Sequence, residues 1–207
     1  MKTLTPEPNQ EYRYFDPPEL VVETRADKKV TMVQGIAVKF EQLSRNLGFF
    51  REKFARGAFD DVLNDDVVAL LNHNIDKVLA RTISKTLELW ADDEALHYRF
   101  ASPDTTAGRD LVVSLQRGDI QHSSFSFTIS DEKWEQDDEA GEIRTVLKVK
   151  RLYDVSPVVF PAYPQSVSEI SKRSYDEWKK ETEKPSLQDI ETDTLNEAAE
   201  LELLKFR

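Results

Sequence analysis

The chain has 207 residues, 39% of them hydrophobic and 32% charged, with a formal net charge of -11 and no cysteine. That is enough to bury one core and leave residues over for tails. The missing cysteines exclude disulfide scaffolds, zinc ribbons and thiol nucleophiles, and leave imidazole chemistry to His73, His97 and His122. The acid excess, with no basic stripe to offset it, argues against nucleic acid as a partner. No apolar run nears the roughly 20 residues of a bilayer span, and the start lacks the basic-then-apolar order of a secretory signal, so a soluble cytoplasmic product with no membrane partner is expected.

Residues 1–28 are polar and interrupted by Pro6, Pro8, Pro17 and Pro18, which predicts a flexible leader. From Val30 apolar residues alternate with polar or small ones through Phe40, the period of a strand with one buried face, and Gly35 suggests a bulge. Phe49 to Leu63 is aromatic-rich and is expected to close with a short helix. Asp66 to Asn72 is an apolar run of strand length that ends at His73.

Thr86 to Phe100 reads as a hairpin turning at Asp92-Asp93-Glu94, with His97 out of phase as a surface residue. Pro103, Asp104 and Thr105 open a helix with Leu111, Val112 and Leu115 as its apolar stripe, and Gly118 stops it. In His122 to Ser130, Phe125, Phe127 and Ile129 point one way and Ser124, Ser126 and Thr128 the other. Asp131 to Glu142 reads as a solvated hairpin loop, Ile143 to Leu152 as a strand, and Asp154 to Pro161 as a further strand whose prolines suit an edge or a terminus. A helix follows around Val167 to Trp178, then an acidic, helical tail with a second amphipathic piece at Leu195 to Phe206.

The sequence holds no P-loop, no H-E-x-x-H, no G-x-G-x-x-G and no G-x-S-x-G elbow, and its acidic clusters lie in expected turns. No cofactor is expected. What remains is a serine nucleophile, which needs a base within hydrogen-bond reach and a third group to orient that base. Residue types alone leave the choice among the serines and histidines open.

Taken together, Gly35-Ile36-Ala37, Phe50-Arg51-Glu52, Gly57-Ala58-Phe59, Leu70-Leu71-Asn72-His73-Asn74, Leu79-Ala80-Arg81-Thr82, Arg117-Gly118-Asp119-Ile120, Ser124-Phe125-Ser126-Phe127, Asp154-Val155-Ser156-Pro157 and Phe160-Pro161-Ala162-Tyr163 resemble the prohead proteases of tailed bacteriophages. These are distant relatives of the herpesvirus assemblin proteases. The resemblance implies an α+β fold, a mainly antiparallel barrel-like domain over residues 29–168 with a few flanking helices, followed by an acidic tail at 169–207. It also implies a serine endopeptidase in which His73 is the general base, Ser124 the nucleophile and Asp154 the orienting acid.

The pattern departs from the family at Ala80 and Ser123, where glycine is common, and at Asp154, where glutamate is frequent. Glu142 and Glu135 are alternatives to Asp154, Ser123 is a second hydroxyl, and His122 is the physical rival to His73. Backbone N–H groups after Phe160-Pro161-Ala162, or Arg144, are candidates for the oxyanion hole, although Arg144 reads first as a solvated strand residue. The expected substrates are the major capsid protein with its scaffold segment, and the protease itself, inside the immature capsid in the bacterial host cytoplasm. A homodimer follows from the herpesvirus relatives. The alternative is a non-enzymatic scaffold or chaperone that keeps the fold.

Overall fold

The computed structural model describes residues 10–14, 20–25, 30–160 and 169–182. The chain divides into two compact units, Met1–Ser168 and Glu169–Arg207. In the first, the strands are β1 (Glu11–Tyr14), β2 (Leu20–Arg25), β3 (Val30–Lys39), β4 (Arg51–Phe54), β5 (Val68–Leu71), β6 (Asn74–Arg81), β7 (Leu87–Ala91), β8 (Ala95–Ala101), β9 (His122–Asp137) and β10 (Gly141–Val158), with helix α1 (Thr106–Arg117) between β8 and β9. They form a six-stranded sheet of order β1-β9-β10-β5-β6, with β4 also on β10, and a four-stranded sheet of order β2-β3-β8-β7. This is the strand-dominated α+β architecture expected; among the described residues pairing is mostly antiparallel, with only β4 and β5 parallel to β10.

The long hairpin β9–β10 is the frame. Its register shifts between Val146 and Lys148 and again between Leu152 and Asp154, and such irregularities bend and twist a strand so that the sheet curls. The buried alternation of Phe125 and Phe127 drives the closure, because both rings pack on Phe54, with centroids 5.6 and 5.3 Å away, inside one apolar core. Helix α1 is delimited as its sequence requires. Thr105 Oγ1 accepts from the Gly108 amide, and Gly118, at φ 78°, ends the helix in the left-handed conformation.

Several expectations need correcting. Residues 11–14 and 20–25, placed in a flexible leader, are strands paired to β9 and β3. The bulge in β3 falls between Ile36 and Val38 rather than at Gly35; Gly35 is instead required because a Cβ there would lie 2.5 Å from the Tyr98 ring. By contrast, the stretch from Phe49 to Leu63 holds strand β4 and does close with a short helix, a 3-10 turn at Asp60–Val62. The acidic stretch from Asp131 lies largely within β9, because its pairing with β10 continues to Asp137. The two expected strands from Ile143 to Pro161 are one continuous β10, in which Pro157 is the penultimate residue.

In the second unit α2 (Glu169–Thr182) is a helix that ends in Lys179 and Lys180, charges that suit the negative end of its dipole. The amphipathic piece expected at Leu195 to Phe206 lies outside the described residues.

Candidate active site

His73 stands in the tight turn between β5 and β6, where Asn72 and His73 both have positive φ, 54° and 56°. Two successive left-handed residues make the turn whose twist suits a two-residue hairpin, and asparagine is among the few side chains that tolerate the first position. The turn is also tied to the end of β10: the Asn72 amide donates to the Pro157 carbonyl at 3.0 Å, and Asn72 Oδ1 accepts from the Val159 amide at 2.9 Å. That tie holds the imidazole beside the strand that carries Asp154.

The register of β9 on β10 does the rest. Asp154 pairs with Ser126 and Ser156 with Ser124, so these side chains share one face of the sheet. His73 Nδ1 lies 2.6 Å from Asp154 Oδ1, and His73 Nε2 lies 2.8 Å from Ser124 Oγ. The three residues named from sequence are thereby brought into one hydrogen-bonded chain, across separations of 81 and 51 residues. In the tautomer this chain requires, Nδ1–H donates to the carboxylate and Nε2 accepts from the hydroxyl.

Two further residues, to which sequence gave no role, complete the acid's surroundings. Ser126 Oγ donates to Asp154 Oδ2, and Ser156 Oγ donates to Oδ1 at 2.6 Å. With His73, the carboxylate receives three donors, which fixes its orientation in a buried place where an unsatisfied charge would be costly. The signal was present in the alternation of Ser124 with Ser126 and in the spacing of Asp154 and Ser156, but hydroxyls on a strand face are too common to be singled out.

The rival residues lie elsewhere. Ser123 turns to the other face and shares a hydrogen bond of 2.5 Å with the Tyr98 hydroxyl. His97 pairs with Asp92 at 2.8 Å and stacks on Trp90, half-buried rather than fully at the surface. His122 heads β9 opposite Val158. Glu135 pairs with Lys133 and Lys53 near the far end of the hairpin, and Glu142 is opposite Gln136 there.

Arg144 is neither solvated nor free to serve as an oxyanion donor. It is 1% exposed and bonded to Glu11, Glu52 and Glu132, because β10 places it directly opposite Glu52 of β4. The backbone N–H groups after Phe160-Pro161-Ala162, the other oxyanion candidates, lie outside the described residues.

Sequence reading also missed the N-terminal strand. β1 runs antiparallel to β9 with Tyr14 opposite Ser124, and Ser124 is fully buried (0% exposed), its Oγ 3.0 Å from the Arg13 carbonyl. The Tyr12 ring packs edge-on to His73, with centroids 4.8 Å apart. Burial, with a smaller contribution from the Asp154 charge, raises the Tyr12 phenol above its ordinary value and keeps it neutral.

Among the described residues no group of histidine and acidic side chains could hold a metal ion, and no helix is long and apolar enough to cross a membrane. No curated protein matches the chain. A solved structure, the bacteriophage T4 capsid assembly protease gp21, is similar with a TM-score of 0.50 and 14% identity, over 72% of this chain and 97% of that one; the likeness shows the fold. The model of the caudovirus prohead serine proteases matches residues 19–181, and the chain belongs to that family.

Proposed function

We propose that the protein is a serine endopeptidase that processes capsid and scaffold proteins, and itself, within the immature phage shell, with Ser124 as nucleophile, His73 as general base and Asp154 as the orienting acid. The observation that carries this reading is the continuous chain from Asp154 Oδ1 through His73 to Ser124 Oγ, with separations of 2.6 and 2.8 Å. Family membership supplies the class of chemistry and the setting inside the procapsid. The similar fold of a capsid assembly protease supports the substrate class.

The steps follow from the groups present. Ser124 Oγ attacks the scissile carbonyl carbon as His73 Nε2 takes its proton, and Asp154 stabilises the imidazolium so formed. The tetrahedral intermediate collapses when His73 returns that proton to the leaving amine, leaving an acyl ester on Ser124. Water, deprotonated by the same imidazole, then releases the carboxylic acid and restores the serine. Ser126 and Ser156 touch none of the reacting atoms; they are positioning residues that act through Asp154.

The test is co-expression with the coat subunit and intact-mass measurement. Shortening of the coat subunit by the wild-type chain and its loss with Ser124→Ala are expected. Equal shortening by both would remove Ser124 from the mechanism, and no shortening by either would favour a non-enzymatic scaffold.

A further inference from the structure

We propose that an exposed apolar rim made by Ile75, Val159 and Phe160 binds the leaving half of the substrate chain, so that this peptidase prefers a large aliphatic or aromatic side chain within about three residues after the bond it cuts. The inference rests on the peptidase reading above and names a feature of its substrate. Among the described residues six large hydrophobic side chains are exposed: Ile75, Val78, Ile83, Val113, Val159 and Phe160. Scattered singly, such residues need no explanation. Four of the six, however, lie on the two segments that the Asn72 side of the hairpin ties together, residues 74–78 and 158–160.

Ile75 is exposed because the pairing of β6 is interrupted there. Leu71 pairs with Asn74 and Leu70 with Val78, so Ile75, Asp76 and Lys77 stand opposite no partner on β5. Asn74 Oδ1 accepts from the Asp76 amide at 2.9 Å and holds the interruption in a turn. Irregularities of this kind re-aim side chains and are favoured beside active sites. Here one turns an isoleucine, 53% exposed, to solvent two residues from His73. β10 supplies the rest of the rim. Its pairing with β9 ends at Val158, opposite His122, and beyond that pair Val159 and Phe160, the latter 73% exposed, continue past the Asn72 turn.

The imidazole decides which half of the substrate meets this rim. His73 Nε2, 2.8 Å from Ser124 Oγ, takes the serine proton and must return it to the leaving amine. The residues that follow the scissile bond therefore run alongside His73, while the acyl half stays on Ser124. Two residues of chain span at most about 7 Å, so Ile75 stands within reach of the first few leaving residues. Val159 is fixed beside the same turn by the bond of its amide to Asn72 Oδ1 at 2.9 Å. A polar leaving segment gains nothing from these side chains, whereas a large apolar one removes its own surface and theirs from water.

The experiment compares coat subunits co-expressed with the full chain and read by intact mass over time. Three forms differ only at the second and third residues after the mapped junction, which are the natural pair, two leucines or two serines. The wild-type protease is expected to cut the leucine form about tenfold faster than the serine form. With Ile75→Ser and Phe160→Ser together, that ratio should fall to about threefold or less. With Val113→Ser, which alters an exposed hydrophobic of α1, it should not change. The comparison of the two coat forms by the wild-type chain depends on no protease variant folding.

Equal cutting of the leucine and serine forms by the wild-type chain, or cutting of neither when the natural form is cut, would overturn the proposal. So would a ratio that survives in the rim variant; if the oligomeric mass of that variant changes at the same time, the rim is a contact between copies instead. A response to the same exchange placed before the junction, with none after it, would also overturn the proposal. If even the natural coat subunit stays intact, the peptidase reading itself fails and this inference with it.

Discussion

Gly35 and Tyr98 are fitted to each other: a Cβ at position 35 would fall 2.5 Å from both Cζ and the hydroxyl oxygen of the tyrosine. The ring is fully buried, and its hydroxyl is shared with Ser123, the neighbour of Ser124. Gly35→Ala is therefore expected to push Tyr98 aside and to lower stability by about 1–3 kcal/mol, the usual cost of overpacking a filled core. Thermal unfolding measures this. Because the clash involves the hydroxyl, Tyr98→Phe should recover part of the loss, and a double-mutant cycle showing strict additivity would remove the contact as its cause.

Asn72 has two duties, holding a left-handed backbone and accepting from the Val159 amide. Asn72→Gly keeps the first and loses the second, whereas Asn72→Ala loses both. Cleavage rates should fall in the order wild type, Asn72→Gly, Asn72→Ala, with the alanine variant additionally destabilised by about 1 kcal/mol from the left-handed conformation. Equal rates in all three would show that the tie to β10 does not position His73.

Ser126 and Ser156 hold the two oxygens of Asp154. A hydrogen bond to a charged group is worth about 1.5–3 kcal/mol, so Ser156→Ala is expected to lower kcat by about 10–100-fold, with KM little changed. Ser126→Ala should do likewise while also releasing the contact from Gln10 Nε2. As both act on one carboxylate, their effects should be less than additive. A rise in KM with unchanged kcat would assign them to substrate binding instead.

Asp66 is bonded to Arg81 through both carboxylate oxygens, and that hydrogen bonding holds its carboxyl below the usual carboxylate range. A folded-state value depressed below the unfolded one gives stability that is present above the unfolded value, near pH 4, and lost as pH falls through the folded value. Both side chains are more than a third exposed, so solvent screening limits the pair to about 0.2–1 kcal/mol. Asp66→Asn should lower Tm slightly at pH 7, and the difference from wild type should shrink as pH drops below 4. A difference that grows on acidification would contradict the assignment.

Periodicity reveals the elements of this protein more readily than their partners. The alternation in β9, the β7–β8 hairpin and the capped helix α1 were legible because burial and capping act within a few residues. The candidate triad was legible only through motifs, since His73, Ser124 and Asp154 meet through sheet register and a turn conformation that no local pattern encodes. The same reason hid β1. Its polar residues and flanking prolines read as leader because the burial of Glu11 and Arg13 depends on Glu52 and Arg144, distant charges that the sequence does not mark as a set. Arg144 was misread as solvated for that reason also.

The most direct measurement of the central claim is fluorophosphonate modification followed by intact mass and peptide mapping, on the wild-type, His73→Ala and Ser124→Ala chains. One adduct per wild-type chain, located on Ser124 and absent from both variants, is predicted. Modification at Ser123 or another hydroxyl, or an undiminished rate after His73→Ala, would contradict the account.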